Sequence, residues 1–283
     1  MTWLITGAAG YLGQHVMLAA QQAQIDAVGV IHRQHARHGT TVQCDLTDYA
    51  ALNAMLDHVQ PQVIIHTAAV TPVVGAAMTS ELLWQVNVLA SATLARWTAQ
   101  HHARLVHVSS DAIWGGRDEP YTEHDVPAPI NPYGASKAAA EAVVATHNPQ
   151  AVIARTSLLY GFDPPDPNTV MAQTMASGRR TGVLFTDERR CPVAVGDVAQ
   201  ALLELGQRTE LHGIFHLVGP TAVSRYELGC ALVAWHGGDP ATIPAGSAAA
   251  SGLRRPSQVV VSNQQTQAVL HTRLRSVAEV TRS

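Results

Sequence analysis

The stretch Trp3–Gln22 restricts the possible folds more than any other. Four strand-forming residues, Trp-Leu-Ile-Thr, run into Gly7-Ala8-Ala9-Gly10-Tyr11-Leu12-Gly13, and a helical pattern follows. Strand, three glycines at intervals of three, then helix is the context required of a turn that cradles a dinucleotide pyrophosphate. Gly7 is expected to permit the tight turn, Gly10 to let the backbone approach the pyrophosphate, and Gly13 to let the helix pack closely on the sheet. The N–H groups at the helix start, around Tyr11 and Leu12, then face an anion. These five residues are the first cofactor candidates.

The alternation continues beyond this turn. Further strands are predicted at Ala27–His32, Thr41–Cys44, Gln62–His66, Arg104–Ser109 and Ala151–Ala154. Helices are predicted at Asp48–Val59, Ser80–Gln100 and Pro132–Thr146. The strands are nearly continuous apolar runs, the pattern of a sheet covered by helices on both faces. The expected class is α/β, a doubly wound parallel (Rossmann) sheet. After Tyr160 the rhythm breaks at the Pro-rich GFDPPDPN. Beyond it come a strand at Val193–Val195, a helix capped by Asp197 and running to Gly206, a strand at Ile214–Val218 and a helix at Ser224–Trp235. Residues 237–252, rich in Gly, Ala, Ser and Pro, read as loop. The expected division is 1–157 plus 191–210 for a dinucleotide-binding domain, with 158–190 plus 211–283 forming a smaller C-terminal substrate-binding cap.

Composition excludes several classes. With 47% hydrophobic and 14% charged residues, the 283-residue chain is not intrinsically disordered. No run of 18 apolar residues is present, so no membrane span is expected, and the N-terminus lacks the regions of a secretory signal. The net charge of 18 − 21 = −3 gives no basic field for nucleic acid or an anionic membrane. Three cysteines without a CxxC read as free thiols in a reducing cytoplasm. Among the 15 histidines, His32, His35 and His38 are three apart and His101 adjoins His102, but no ligand set with carboxylates accompanies them, so no metal is expected.

The chemistry-bearing residues stand out by rarity. Of the 18 basic residues, 17 are Arg and one is Lys, Lys137. It follows Tyr133 by four in NPYGASKAAAE. With six tyrosines, a single lysine placed at random does so about 2% of the time. Residues four apart share a helix face, and Pro132 suits a first helical turn. A nearby ammonium favours the phenolate, so a phenol of ordinary pKa near 10 becomes a usable acid or base at neutral pH. The lysine can also grip ribose hydroxyls. At the end of a predicted strand, Val108 leads into Ser109 and Ser110. Ser110 is the better candidate to hydrogen-bond a substrate carbonyl, since ligands of such sheets bind at the carboxyl ends of strands. The second strand ends in Ile31-His32-Arg33 without an acid, and Arg33 can pair with a 2′-phosphate, so NADP(H) is favoured over NAD(H).

Taken together, these motifs resemble the extended short-chain dehydrogenase/reductases. The GxxGxxG spacing, HTAAVT, NPYGASKAAAE and ARTSLLYG carry the likeness. SSDAIWGG, HLVGPTAVSRYEL and Arg255-Pro256 bring it closest to the dTDP-4-dehydrorhamnose reductase-like group. The resemblance implies Asp45 and Leu46 of CDLTD near the adenine, and Thr67, Ala68, Ala69 and Val70 beneath the cofactor. It implies reduction of a 4-keto nucleotide-sugar, with hydride from the nicotinamide, Tyr133 as acid, Ser110 polarising the carbonyl and Lys137 poising Tyr133. His32, Val108, Tyr133 and Lys137 join the cofactor residues. Ser110, Asp111, Trp114 and Leu158 are the substrate-side candidates. Asn87 resembles a family Asn beside the cofactor, with helix packing an equal reading. Arg179, Arg180, Arg189, Arg190, Arg254 and Arg255 are candidates to meet a diphosphate, and Arg225 is expected to make structural hydrogen bonds.

The departures lie on the substrate side. The group's Trp in RTSWVYG is Leu158, and the Tyr and Phe of its STDYVFDG are Ala112 and Trp114. Two further functions remain open at this point: an NAD-dependent sugar-nucleotide epimerase or dehydratase, and a non-catalytic dinucleotide-binding regulatory subunit like those that bind methionine adenosyltransferase. A small-molecule substrate is expected in each enzymatic case, and a homodimer is compatible with the family.

Overall fold

The computed structural model describes residues 1–71, 79–252 and 256–282. They divide into two compact units. The first comprises Met1–Ser110, Asn131–Arg155 and Ala199–Phe215. Its frame is a seven-stranded sheet of β1 (Trp3–Thr6), β2 (Ala27–Ile31), β3 (Thr40–Gln43), β4 (Val63–His66), β5 (Arg104–Ser110), β6 (Val152–Thr156) and a last strand, Gly213–Leu217. The strands lie side by side in the order last strand, β6, β5, β4, β1, β2, β3. The sheet is parallel, with helices flanking it. Strand order reverses between β1 and β4, and the carboxyl ends beside such a reversal form a ligand crevice. Strands β1 and β4 are buried throughout, which explains why they read as unbroken apolar runs.

Helices α1 (Tyr11–Gln22), α2 (Tyr49–Val59), α3 (Ser80–Leu83), α4 (Ala90–Gln100) and α5 (Pro132–His147) belong to this unit. Leu4, Ile64, Leu105 and Ile153 of the sheet pack with Leu52 and Leu56 of α2 and Leu94 and Trp97 of α4 in one core. The single long helix predicted over 80–100 is interrupted. Trp84–Leu89, between α3 and α4, is a π-helical turn. Arg104, buried at the start of β5, donates to the carbonyls of Gln150, Leu205, Arg208 and Leu211 and so satisfies helix-end and loop acceptors.

The second unit comprises Asp111–Ile130, Thr156–Val198 and His216–Ser283. Segment 111–130, which the sequence division placed in the first domain, belongs here. Ala128 N–H donates to Ile113 O at 2.8 Å, and Tyr121 N–H to Val260 O at 2.8 Å. The unit holds paired two-residue strands: β7 (Leu159–Tyr160) with β10 (Val193–Ala194), β8 (Leu184–Phe185) with β13 (Ala245–Gly246), and β9 (Arg189–Arg190) with β12 (Val223–Ser224). With these in chain order, the last strand of the large sheet is β11. Helices α6 (Pro167–Ala176) and α8 (Arg225–Trp235) contribute Ala172, Met175 and Val233 to one cluster, which Leu184 and Ile243 complete. Helix α7 (Val195–Gln207) begins two residues before the expected cap, Asp197. That carboxylate instead receives the Arg275 guanidinium, with Nη2 at 2.7 Å. Residues 237–252, expected as plain loop, contain short helical turns and β13, because β8 offers them a pairing partner. No helix of the described residues is long and apolar enough to cross a membrane.

Candidate active site

The glycine turn has the shape its spacing requires. Gly7 adopts φ +69°, and a Cβ there would lie 2.8 Å from the Ala68 backbone. At Gly13 a Cβ would stand 2.1 Å from Gly7 O, so the third glycine serves the closeness of helix to turn rather than of helix to sheet. A Cβ at Gly10 would meet only Gly7 O, at 3.1 Å. Gly10 also caps α1 without any side-chain hydrogen bond, and the first turn carries no acid. A helix N-terminus left uncapped, free of negative charge and approachable by backbone fits a pyrophosphate.

At the end of β2, His32 and Arg33 are exposed. An acid does stand beside them, but it comes from after β3. Asp45 Oδ2 lies 3.5 Å from His32 Nε2. Its carboxyl is held below the usual range, first by the Thr47 N–H and hydroxyl bonds and then by His32 and Arg33. Leu46 is buried next to it in the core.

A polar chain runs beneath the crevice. Ser91 Oγ donates to Asn87 O at 2.7 Å, so His66 Nε2–H donates to Ser91 Oγ at 3.0 Å, and His66 Nδ1 accepts from Thr6 Oγ1 at 2.6 Å. Burial, then the positive charge of Lys137, pushes the His66 imidazole down to about 3, so it is neutral. The Asn87 amide brackets Val70, accepting from its N–H at 2.8 Å and donating to its O at 3.1 Å. It also donates to Ser136 Oγ at 2.9 Å, and Ser136 Oγ donates to Tyr133 O at 2.7 Å. The π turn therefore carries Asn87 to a place where it joins the loop after β4 to the helix bearing Tyr133. π turns recur at functional sites. Thr67, Ala68 and Ala69 in that loop are half-buried, and Thr67 Oγ1 donates to Thr6 O at 2.7 Å.

Helix α5 starts at Pro132. Its N-cap Asn131 accepts from Gly134 N–H at 2.8 Å, which sets Tyr133 in the first turn, half-buried. One turn later Lys137 is 3% exposed, and its ammonium donates to Val108 O at 2.7 Å. Burial lowers the Lys137 amine to about 8, with Glu141 acting in the opposite sense. Ser110, half-buried, ends β5 at the same carboxyl edge as Val108. Tyr133 and Lys137 thus stand one turn apart at the start of α5, with the Lys137 ammonium on the strand that ends in the Ser110 hydroxyl.

The profile of the family described as the RmlD substrate binding domain matches residues 1–282. The chain belongs to this family. It is 33% identical to methionine adenosyltransferase 2 subunit beta of Rattus norvegicus over 236 residues, 81% of this chain and 70% of that one. It is also 33% identical to the probable low-salt glycan biosynthesis reductase Agl14 of Haloferax volcanii over 260 residues, 89% and 85% of the two chains. The solved structure of a hypothetical dTDP-4-dehydrorhamnose reductase from Sulfolobus tokodaii has TM-score 0.83 and 25% identity, with 98% and 97% covered. Other structures with this fold were solved in complex with NADP (Bacillus anthracis) or NAD+ (Bordetella bronchiseptica). RmlD-like reductases are NAD(P)-dependent oxidoreductases of the extended short-chain dehydrogenase/reductase superfamily.

In this RmlD-family chain the substrate-side candidates of the second unit take different parts. Trp114 has no exposed surface. Its ring stacks on Tyr121 at 4.5 Å and meets His216 edge-on at 5.6 Å. A ring enclosed by its own unit offers no face to a ligand, so the expectation of substrate contact is corrected to packing. Asp111 is 6% exposed. Its carboxylate accepts from Ser157 Oγ at 2.6 Å and lies 3.8 Å from Arg190 Nε. Leu158 is half-buried against the Tyr160–Leu228–Leu232 cluster. Arg189 and Arg190 bind carbonyls within the unit, Ala222 O and Pro256 O, and Arg225 donates to Asn168 Oδ1 at 2.9 Å. Arg179 and Arg180 are exposed. Arg254 and Arg255 lie outside the described residues. Among the described residues no group of His, Cys, Asp and Glu could hold a metal ion. The Asp45–His32 contact and the Glu141–Arg155 ion pair were missed from sequence, because neither pair shares an element.

Proposed function

We propose that this chain reduces the carbonyl of a 4-keto nucleotide-sugar with NADPH, through Ser110, Tyr133 and Lys137. The observation that carries the reading is the sole lysine, buried one helical turn beyond Tyr133 with its ammonium on Val108 O. The uncapped start of α1 would hold the pyrophosphate, and the loop Thr67–Val70 would lie along the dinucleotide. The chemistry asked of the bound dinucleotide is hydride delivery to the carbonyl carbon. Ser110 donates a hydrogen bond to the carbonyl oxygen. Tyr133 gives its proton to that oxygen as negative charge develops, and the Lys137 ammonium stabilises the phenolate left behind. Asp111 and Leu158 are proposed on the substrate side, Leu158 making a slimmer wall than tryptophan. Arg33 would pair with the 2′-phosphate, partly offset by Asp45. Three free cysteines accord with a reducing compartment such as the cytoplasm.

The test is NADPH consumption, followed by absorbance, against a panel of nucleotide-linked keto-sugars. Net oxidation with at least one of them is expected. The resemblance to a methionine adenosyltransferase subunit supports one further reading, a dinucleotide-binding regulatory subunit. NADPH binding without turnover on any carbonyl would favour it over the reductase.

A further inference from the structure

The helix face that carries Tyr133 and Lys137 continues one turn further to Glu141, giving side chains at i, i+4 and i+8. Glu141 is 5% exposed, and a carboxylate so buried must be paired. Its partner is Arg155 of β6, itself 2% exposed. Arg155 Nε lies 3.0 and 3.2 Å from the two carboxylate oxygens, and Nη2 lies 2.8 Å from Oε2. This fork fixes the carboxylate in one place, one turn from an ammonium that is almost completely shielded from water.

The surroundings of Lys137 give it few other charges. His66 on β4 and His107 on β5 are fully buried and are held neutral, chiefly by that burial. Glu81 on α3 and Arg96 on α4 are exposed, as is His147 at the end of α5. Val108 O is the uncharged acceptor of its ammonium. Glu141 is the charged group whose field acts on the lysine, and it lies on the helix of the lysine itself.

We infer that Glu141 is a positioning residue for the reaction. Clamped by Arg155, its carboxylate keeps the side chain of Lys137 in the ammonium form that Tyr133 needs. Lys137 would otherwise be a lone buried cation, and neutral lysine cannot stabilise a phenolate. The direction in which Glu141 moves the lysine, toward the charged form, agrees. The inference rests on the reductase reading above for its catalytic meaning, but its electrostatic content does not.

The sequence supplies an unusually clean test. Because Lys137 is the only lysine, protein grown on 15N,13C-lysine shows a single side-chain Cε–Nζ signal, whose titration reads this amine directly without any substrate. In the full chain, Glu141→Gln should move the titration midpoint down by about one pH unit, and Arg155→Gln, which frees the carboxylate, should move it up. In NADPH oxidation assays the high-pH limb of kcat should move the same way in each variant. A structural role alone would lower the melting temperature without opposite midpoint shifts. If Glu141→Gln does not fold, Arg155→Gln and the more conservative Glu141→Asp, which keeps the charge and should titrate close to the parent, still decide. An unmoved midpoint in the neutralised variants, or movement in one direction in both, overturns the inference. A parent protein that shows the expected NMR shifts but oxidises no NADPH overturns the reductase reading instead.

Discussion

The proposed chemistry turns on single atoms of Tyr133 and Lys137. Tyr133→Phe removes the proposed proton donor and leaves the glycine turn intact. Turnover should fall by about a thousandfold or more while NADPH binding, measured by fluorescence titration, stays near the parent value. The Lys137 amine sits at about 8 because burial disfavours its charge. In the proposed mechanism reduction needs the ammonium, so the rate should be level below pH 8 and fall as pH rises through it. A flat profile to pH 10 would show that Lys137 does not control Tyr133. At the adenine end, Arg33→Ala should weaken NADPH more than NADH. Asp45→Asn should strengthen NADPH relative to NADH, because the carboxylate 3.5 Å from His32 opposes a second anion. Equal changes for both dinucleotides would remove the 2′-phosphate from this corner. Arg33's place after β2 is written in the sequence, and the family resemblance implies Asp45 near the adenine, but the 3.5 Å approach of Asp45 to His32 was not readable, since it is made from a different strand.

Elements bring these residues into register. A Cβ at Gly13 would meet the backbone of Gly7 at 2.1 Å, and backbone cannot step aside cheaply. Gly13→Ala should therefore destabilise by about 3 kcal/mol or more and abolish dinucleotide binding, as urea denaturation and titration would show. The π turn is a subtler device. Asn87→Ala leaves Val70 N–H and O without their bracket, at about 1–3 kcal/mol. It also frees Ser136 from Asn87, so kcat should fall more than KM rises. The glycine turn was legible because its signal lies within a dozen residues. The π turn was not, since residues 84–89 have ordinary helix-forming character. What widens the turn is a demand from outside the helix, namely Asn87 reaching Val70 and Ser136. The strand pairs of the second unit, two residues each, were likewise hidden, because so short a run has no periodicity to read.

Over the whole molecule, burial makes stability depend on pH. His66, at about 3, and His107, well below its ordinary 6.5, are both neutral in the folded chain. Unfolded, they would titrate near 6.5, so the unfolded chain binds more protons below that pH. The stabilisation is fully present above 6.5 and is lost as pH falls toward about 3, at about 1.4 kcal/mol per pH unit for each fully coupled histidine. Urea melts between pH 7 and 4 should show the loss, and His107→Phe should flatten it. The division into units is also a whole-molecule property. Segment 111–130 is richer in charge and proline than the chain around it, but that composition does not name its partner: Arg117 and Tyr121 hydrogen-bond through their backbones with residues 258, 260 and 262. What the amino-acid order determined by itself were the features written within a turn or two: the βα glycine turn, the alternation of buried strands and helices, the Tyr–Lys pair on one helix face. The tertiary structure alone decided which ionisable groups lose water and which charges meet. It enclosed Trp114 among Tyr121 and His216, and it set Arg155 against Glu141. Those outcomes depend on segments remote in sequence, and only packing excludes the solvent that would otherwise screen each charge.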